Sequence, residues 1–510
     1  MKIIILSIIF LISTMSCDDD TSSTNNNNIN NTNNTNNSNN STNNTNNTNN
    51  SNNSNNTNTN NTNNTNNTNT IVFEHILEVG PSLEYESPCD VPWEALEPST
   101  LVNIHHRAEP YRCKFALATA ATEQAPLVVR GIPDNSGNLP VISGENAITR
   151  LELDYWNEPR SVIKIGGVSH SSDFPSHIAI ENLEIRSARP GYTFTDDGGS
   201  AAEYVENAAS LHFEEGSNIT VRNCTITDSG NGLFAGSGMS DILIEGCYIH
   251  GNGIEGSIYM HNNYTESQGI IFQYNHFGPL RAGCPGNNLK DRSSGTIIRF
   301  NWIEAGNRTV DAVDSDHDHI LNDPAYGETF IYGNILIKHD VEENGQVIHY
   351  GGDSGTTENY RKGVLYFYNN TIYSMRSGNT TLLGLQTNDE TSMCFNNIIY
   401  ATAGGNYMAI SGGSGTVTLE NNWIQTGWRE VHGTNNGTIT ATNNVEGTDP
   451  GFNDDSSLDF TLTSDSTAAN IGRDLPAAIA SYIVNMQYVI HQLSEARSSN
   501  GIIDAGAFER

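Results

Sequence analysis

Ile270-Ile-Phe-Gln-Tyr-Asn-His-Phe277 and, one interval later, Ile297-Ile-Arg-Phe-Asn-Trp-Ile303 decide the fold. Both are near-copies of one pattern, apolar-x-apolar-x-(Asn/Gly)-Asn-x-apolar. The pattern returns at Ile178-Ala-Ile-Glu-Asn182, Ile219-Thr-Val-Arg-Asn-Cys224, Ile242-Leu-Ile-Glu-Gly-Cys247 and Phe330-Ile-Tyr-Gly-Asn334. It continues at Leu365-Tyr-Phe-Tyr-Asn-Asn370, Met393-Cys-Phe-Asn-Asn397 and Val417-Thr-Leu-Glu-Asn-Asn422. The position of Asn275 and Asn301 in these two copies is Asn in seven of the nine copies and Cys in the other two, Cys224 and Cys247. Intervals run from 23 residues (Cys224 to Cys247) to 42 (Asn182 to Cys224).

The shorter intervals suit one coil of a parallel β-helix, and the longer ones imply loops inserted at the turns. Each coil must bend between two strands, and the bend leaves backbone groups unpaired. An Asn stacked on the Asn of the next coil can satisfy them. Strands flanking each Asn supply two sheets, and a third is expected over 211–215, 258–262 and 347–351. A propeller would repeat at longer, more regular intervals, and a sandwich would not keep one Asn register.

Outward from the repeat, residues 161–510 read as the β-helix and 71–160 as an N-terminal cap with the first coils. The cap holds a short helical stretch at Pro92-Trp-Glu-Ala-Leu96 and alternating strands such as Leu101-Val-Asn-Ile-His-His. A second short helix is expected over Ala477 to Leu493, after Pro476. Met1-Lys2 and the apolar run Ile3 to Ile12 have the length of a secretory h-region, too short for a permanent span. Ser13-Thr-Met-Ser-Cys17 resembles a bacterial lipobox, with residues 1–16 as signal peptide and Cys17 as the lipid-bearing N-terminus. Thr14 departs from the usual Leu, so a plain signal-peptidase cut stays open. The reading is export, to an outer membrane or cell surface or as a secreted chain, with membrane contact only through Cys17.

Residues 17–70 read as a linker. From Thr21 to Thr70 every residue is Asn, Thr or Ser except Ile29, so this stretch cannot bury enough surface to offset chain entropy. Its Asn-x-Thr triplets would be glycosylation sequons in a eukaryote. The whole chain carries 24 basic and 58 acidic residues, net −34. Removing Lys2 and Asp18 to Asp20 leaves 23 against 55, net −32, over residues 71–510. So acidic a surface argues against nucleic acid as a partner, and an anionic substrate needs a local basic strip or bridging cations. The chain is taken as a monomer. Of the seven Cys, Cys89 and Cys113 flank the cap and can pair in an oxidising compartment. Cys224 and Cys247 share a register and suit free core thiols as well as a disulfide. No Cys-x-x-Cys occurs, which argues against structural zinc.

The Asn ladder, the uneven coil length, Asp449-Pro-Gly-Phe and the closing Ile503-Asp-Ala-Gly-Ala-Phe-Glu resemble right-handed parallel β-helix proteins of the pectate-lyase-like superfamily, over roughly 100–510. The resemblance implies an all-β solenoid with a short N-terminal cap. It implies less about function, because this architecture serves lyases, hydrolases, epimerases and adhesins.

Chemistry-bearing residues concentrate in Ile258 to His319, with His349 a coil further. Strand alternation with Ile258, Met260, Leu289, Val310 and Ile348 inward projects one outward row: His261, Lys290 with Arg292, Asp311 and His349. Eliminative cleavage of a uronate polymer needs a neutralised carboxylate, a base and an acid. Lys290, its pKa lowered by Arg292, is the candidate base, with His349 and His261 competing and Tyr264 as acid. Several β-helix lyases use a Lys base with an Arg nearby, and Asn288-Leu-Lys-Asp-Arg292 is similar in kind. Arg281, Arg292 and Arg308 are candidates to hold substrate carboxylates, and Tyr259 to stack on sugar. Against this, Lys290–Asp311 suits a plain cross-coil ion pair.

Asp314, Asp316 and Asp318 alternate just after Asp311, and this acidic run suits Ca²⁺ as well as a solvated acidic turn. Paired Asp also keep a hydrolase open. The leading expectation is a polysaccharide lyase acting on an acidic polysaccharide. A glycoside hydrolase using Asp311 and Asp314 comes next, and then a non-catalytic carbohydrate-binding adhesin.

Overall fold

A computed structural model describes residues 71–340, 344–498 and 501–510. The signal peptide, Cys17 and the Asn/Thr/Ser linker lie outside the described residues. Within them the chain is a parallel β-helix. One 11-stranded sheet runs from Val141–Ser143 to Val445–Gly447, with each strand paired parallel to the next coil's. The other two faces merge into a 23-stranded sheet. They merge because Ala209–Arg222, Asn231–Glu245 and Asn263–Gln273 each run through the corner between the two faces without a break.

On one of these faces, the site face, Leu289–Asp291 pairs with Val310–Ala312, which pairs with Gln346–Tyr350 and then Thr380–Leu385. On the other, Ser294–Arg299 pairs with Glu328–Tyr332, then Val364–Tyr368, then Thr391–Phe395. The inward side chains of all three faces form one continuous apolar core, from Val79 to Ile424. Parallel pairing already joins His75–Val79, Thr100–His105, Leu127–Ile132 and Ser176–Glu181, so coiling begins well before residue 161.

The Asn ladder runs through Asn275, Asn301, Asn334, Asn370, Asn397, Asn422 and Asn444. From Asn301 on, each Asn Oδ1 accepts from both the backbone N–H and the Nδ2 of the Asn one coil before, and Asn275 Oδ1 accepts from the Cys247 N–H. Each Nδ2 also donates to a backbone carbonyl near the bend. Two positions differ from expectation. Asn444 extends the ladder, and Asn182 is not on it. Pairing of Glu181 with Arg222 aligns Asn182 with Asn223, so Leu183 is the mate of Cys224. Asn182 fills instead the residue that makes the bend, which takes φ near +55° in coil after coil: Asn182, Asn223, Tyr274, Phe300, Asn369, Asn396, Asn421 and Asn443. Asn tolerates that left-handed conformation better than other side chains, which is why Asn-Asn doublets recur there. Cys224 and Cys247 are free buried thiols at ladder positions, and Cys89–Cys113 is a disulfide.

Three local expectations are corrected. Residues 258–262 form no strand; the site face resumes at Asn263, because a loop rich in Gly and polar residues precedes it. Pro92–Leu96 contributes only the 3₁₀ turn Trp93–Ala95. Ala477–Leu493 holds one 3₁₀ turn, Ala477–Ile479, and the first strand of a hairpin, Met486–Val489 with Leu493–Ala496, since no run there has helical apolar spacing. This C-terminal segment runs back along the stack. Arg473 pairs with Glu420, Asn396 Nδ2 donates to the Arg473 carbonyl, Tyr368 donates to the Tyr482 carbonyl, and Gln492 donates to the Gly246 carbonyl. It covers an outer row of aromatics, Phe300, Phe330, Tyr332, Tyr366, Tyr368 and Phe395.

Candidate active site

Parallel pairing puts Tyr264, Lys290, Asp311 and His349 in one outward row on four successive coils. Tyr264, not His261, shares the register of Lys290. His261 lies three residues before it on the irregular approach to the strand. Its backbone N–H donates to Asn231 Oδ1, and its Nδ1 accepts from the Asn287 N–H at 2.9 Å. Upstream the row continues through Phe234 and His212 to Lys164. The Phe234 ring stacks parallel to Tyr264 at 5.3 Å and holds it upright.

A cleft of about 310 Å³ opens over this row, lined among others by Tyr259, His261, Tyr264, Lys290, Arg292 and Asp353. Ile258 and Tyr259 form an exposed lip. Arg308 also lines the cleft. Arg281 does not; its guanidinium pairs with Asp228 and donates to the Gly253 carbonyl.

Asp311 is the buried hub. Its carboxylate meets Lys290 Nζ at 3.0 Å, His349 Nδ1 at 2.6 Å, Asn287 Nδ2 at 2.6 Å and Arg308 at 3.5 Å. Burial alone would raise its pKa; Lys290, His349 and Arg308 overcome this and hold it well below the usual carboxylate range. Lys290 also pairs with Asp353, whose other oxygen lies 2.6 Å from Arg292. Arg292 Nε donates to the Tyr264 hydroxyl oxygen at 2.9 Å. Strand pairing ends at Asp291, yet Arg292 still reaches the cleft.

These contacts reverse one expectation. Burial and Arg292 work to lower the Lys290 pKa, but the Asp311 and Asp353 carboxylates outweigh them, and the net shift is upward. Lys290 thus stands as an ammonium paired to two carboxylates. Asp353 shifts the other way, downward, because Lys290 and Arg292 outweigh its burial. His261 is pushed down to about 3, by burial and then by Lys290. It is neutral, and since Nδ1 accepts a hydrogen bond, Nε2 carries the proton. Both nitrogens of His349 are taken up, by Asp311 and by Gln386 Oε1 at 2.9 Å.

Asp311, Asp314 and Asp316 do not form one ligand set. Asp311 is spent on the contacts above. Asp314 is fully buried and accepts from the N–H groups of Asp353 and Ser354. Asp316 is exposed and pairs with His317. Asp316, His317 and Glu266 do bring their ligand atoms within 4.8 Å of one another, but one imidazole and two carboxylates are not the all-oxygen shell Ca²⁺ takes.

Asp353, Asn287 and Phe234 are absent from the row projected from sequence. Asp353 follows directly on the His349 strand, in Gly351-Gly-Asp-Ser-Gly355, a turn legible as the end of a site-face strand. Nothing in sequence says that its carboxylate folds back onto Lys290.

The chain matches no protein-family model, and no curated protein is similar to it. Among solved structures it is similar to the GH136 lacto-N-biosidase from Eubacterium ramulus, at 10% identity and TM-score 0.45, over 73% of this chain and 68% of that one. It is similar to an alginate lyase from Paenibacillus sp. str. FPU-7 at 11% identity and TM-score 0.38, over 68% and 93% of the two chains. Pectate lyase Pel9A matches at 13% identity and TM-score 0.38, over 86% and 98%. Likeness at this level bears on neither substrate nor chemistry.

Proposed function

We propose that the chain is a carbohydrate-active β-helix protein, a polysaccharide lyase that cleaves an acidic, uronate-containing polymer by β-elimination in the cleft over Lys290. The observation that carries this reading is the charge state of the cleft. Lys290, Arg292 and Arg308 converge there as cations, while both carboxylates that pair with Lys290, Asp311 and Asp353, have depressed pKa values. A glycoside hydrolase needs a carboxyl group that keeps its proton. Asp311 is held ionised, and Asp314 is sealed beneath backbone N–H groups. Elimination needs cations against the uronate carboxylate instead.

In the step itself the carbon bearing the carboxylate loses its hydrogen as a proton. The electron pair of that C–H bond forms the new double bond. The glycosidic C–O bond breaks toward oxygen, and the leaving oxygen takes up a proton. Lys290, Arg292 and Arg308 stabilise the negative charge that spreads onto the carboxylate. His261, neutral and protonated on Nε2, is a hydrogen-bond donor to the sugar. We assign both transfers to Tyr264: its phenolate oxygen, facing the Arg292 Nε–H, takes the proton from carbon, and the phenol so formed returns it to the leaving oxygen. Replacing Tyr264 by Phe should lower kcat by about 10²–10⁴ with little change in binding.

Ultraviolet absorbance during incubation with a panel of uronate polysaccharides tests the reading. Rising absorbance from an unsaturated uronate is expected, and it should persist in chelator because fixed side-chain cations do the neutralising. New reducing ends without absorbance would make the chain a hydrolase. Binding without turnover would make it an adhesin.

A further inference from the structure

Asp353 occupies a place that a substrate carboxylate would take. Its Oδ2 meets Lys290 and its Oδ1 meets Arg292, so one carboxylate bridges two cleft cations. It is the more accessible of the two carboxylates on Lys290: its side chain is 27% exposed, and that of Asp311 is 0%. Its backbone is fixed elsewhere, with the Asp353 and Ser354 N–H groups donating to Asp314 Oδ1 at 2.8 and 3.3 Å. The Ser354 hydroxyl donates to the other oxygen of Asp314. Rotation of the side chain alone therefore vacates the bridge, with no movement of the loop.

Charge sets what can enter. Lys290, Arg292 and Arg308 are balanced by Asp311, Asp314 and Asp353. With Asp353 swung out, one positive charge is left over, facing a fork of ammonium and guanidinium donors. That is the complement of a single planar carboxylate. We propose that Asp353 is an internal stand-in for the substrate carboxylate and a specificity-determining residue of this cleft. A uronate displaces it by supplying an equivalent carboxylate, whereas a neutral sugar offers nothing to the two cations and leaves it in place. The inference rests on the cleft being the uronate site, and it deepens that reading.

Such a competitor scales down the affinity for a ligand that needs the same seat to the fraction of time the seat is vacant. Titration calorimetry of the full chain with glucuronate, and with glucose as the neutral control, tests this for wild type, Asp353→Ala and Asp353→Asn. Both variants should bind glucuronate at least about tenfold more tightly than wild type, with no gain for glucose. The Asn variant keeps the side-chain shape, so agreement between the two excludes an effect of refolding the loop. Unchanged or weaker glucuronate binding in both variants would overturn the proposal, as would an equal gain for glucose. Because the readout is binding, it separates from catalysis. Tighter glucuronate binding in the variants with no polymer cleaved by wild type would keep the stand-in and remove the lyase.

Discussion

At Asp311 a lysine, an arginine, a histidine and an asparagine converge on one carboxylate that is wholly out of solvent. Removing a partner from such a group leaves buried charge uncompensated, which costs about 3–5 kcal/mol. Lys290→Met should therefore lose stability as well as cleavage, read as a fall in the urea midpoint, while Lys290→Arg should retain most of the stability. The buried imidazoles add a pH effect. His261 and His212 are pushed from 6.5 to about 3 and about 4, in each case chiefly by burial. Between those values and 6.5 the unfolded chain binds protons that the folded chain does not, so stability falls as pH falls through that window. Asp311, depressed in the fold, adds its own loss in stronger acid. Unfolding midpoints measured from pH 7 down to pH 4 should drop steadily, and less steeply in His261→Asn. The Lys290, Asp311 and His349 rung was legible from sequence, because strict alternation within short strands fixes which side chains point outward. Tyr264 and His261 were not separable, since the loop before Asn263 breaks the alternation that a projection needs.

Among elements, the bend repeated in every coil combines two jobs that the sequence pattern blurs. One residue takes the left-handed conformation and the next closes the hydrogen bonds. Where both are Asn, as at Asn369-Asn370 and Asn396-Asn397, either reads as the ladder; at Asn182-Leu183 the single Asn is the bend residue, so a pattern that looks for an Asn lands one residue early. The two should respond differently to substitution. Asn370→Ala strands the N–H and amide groups of Asn334 that it satisfies, and should cost about 1–3 kcal/mol by chemical denaturation. Asn369→Gly keeps the bend's φ of 52° accessible and should cost less, although it gives up two donations to the C-terminal segment. The repeat itself was readable because an inward-facing period of two, ended by an Asn, recurs too often for another β architecture.

Over the whole molecule, the returning C-terminal segment was the feature least visible in sequence. Its contacts are aromatic and irregular, with no periodicity to mark them. It lies on Phe300, Phe330, Tyr332, Tyr366, Tyr368 and Phe395, a surface that would otherwise be an extended apolar patch. Deleting residues 449–510 should expose this row, raise binding of a hydrophobic dye and promote aggregation, measurable by light scattering on warming.

That segment also changes how the molecule must come apart. A simple stack of repeats contacts only its neighbours, so it can fray from an end one repeat at a time. Here Gln492 bonds Gly246, residues 246 positions apart in the chain, and ties the returning segment to the middle of the stack. The tie closes only after all the coils between Gly246 and Gln492 exist and must open before those repeats can leave. Such high contact order makes folding slow. A fastener that forms last and is absent from the transition state slows unfolding, so the chain should be long-lived once folded even where its equilibrium stability is modest.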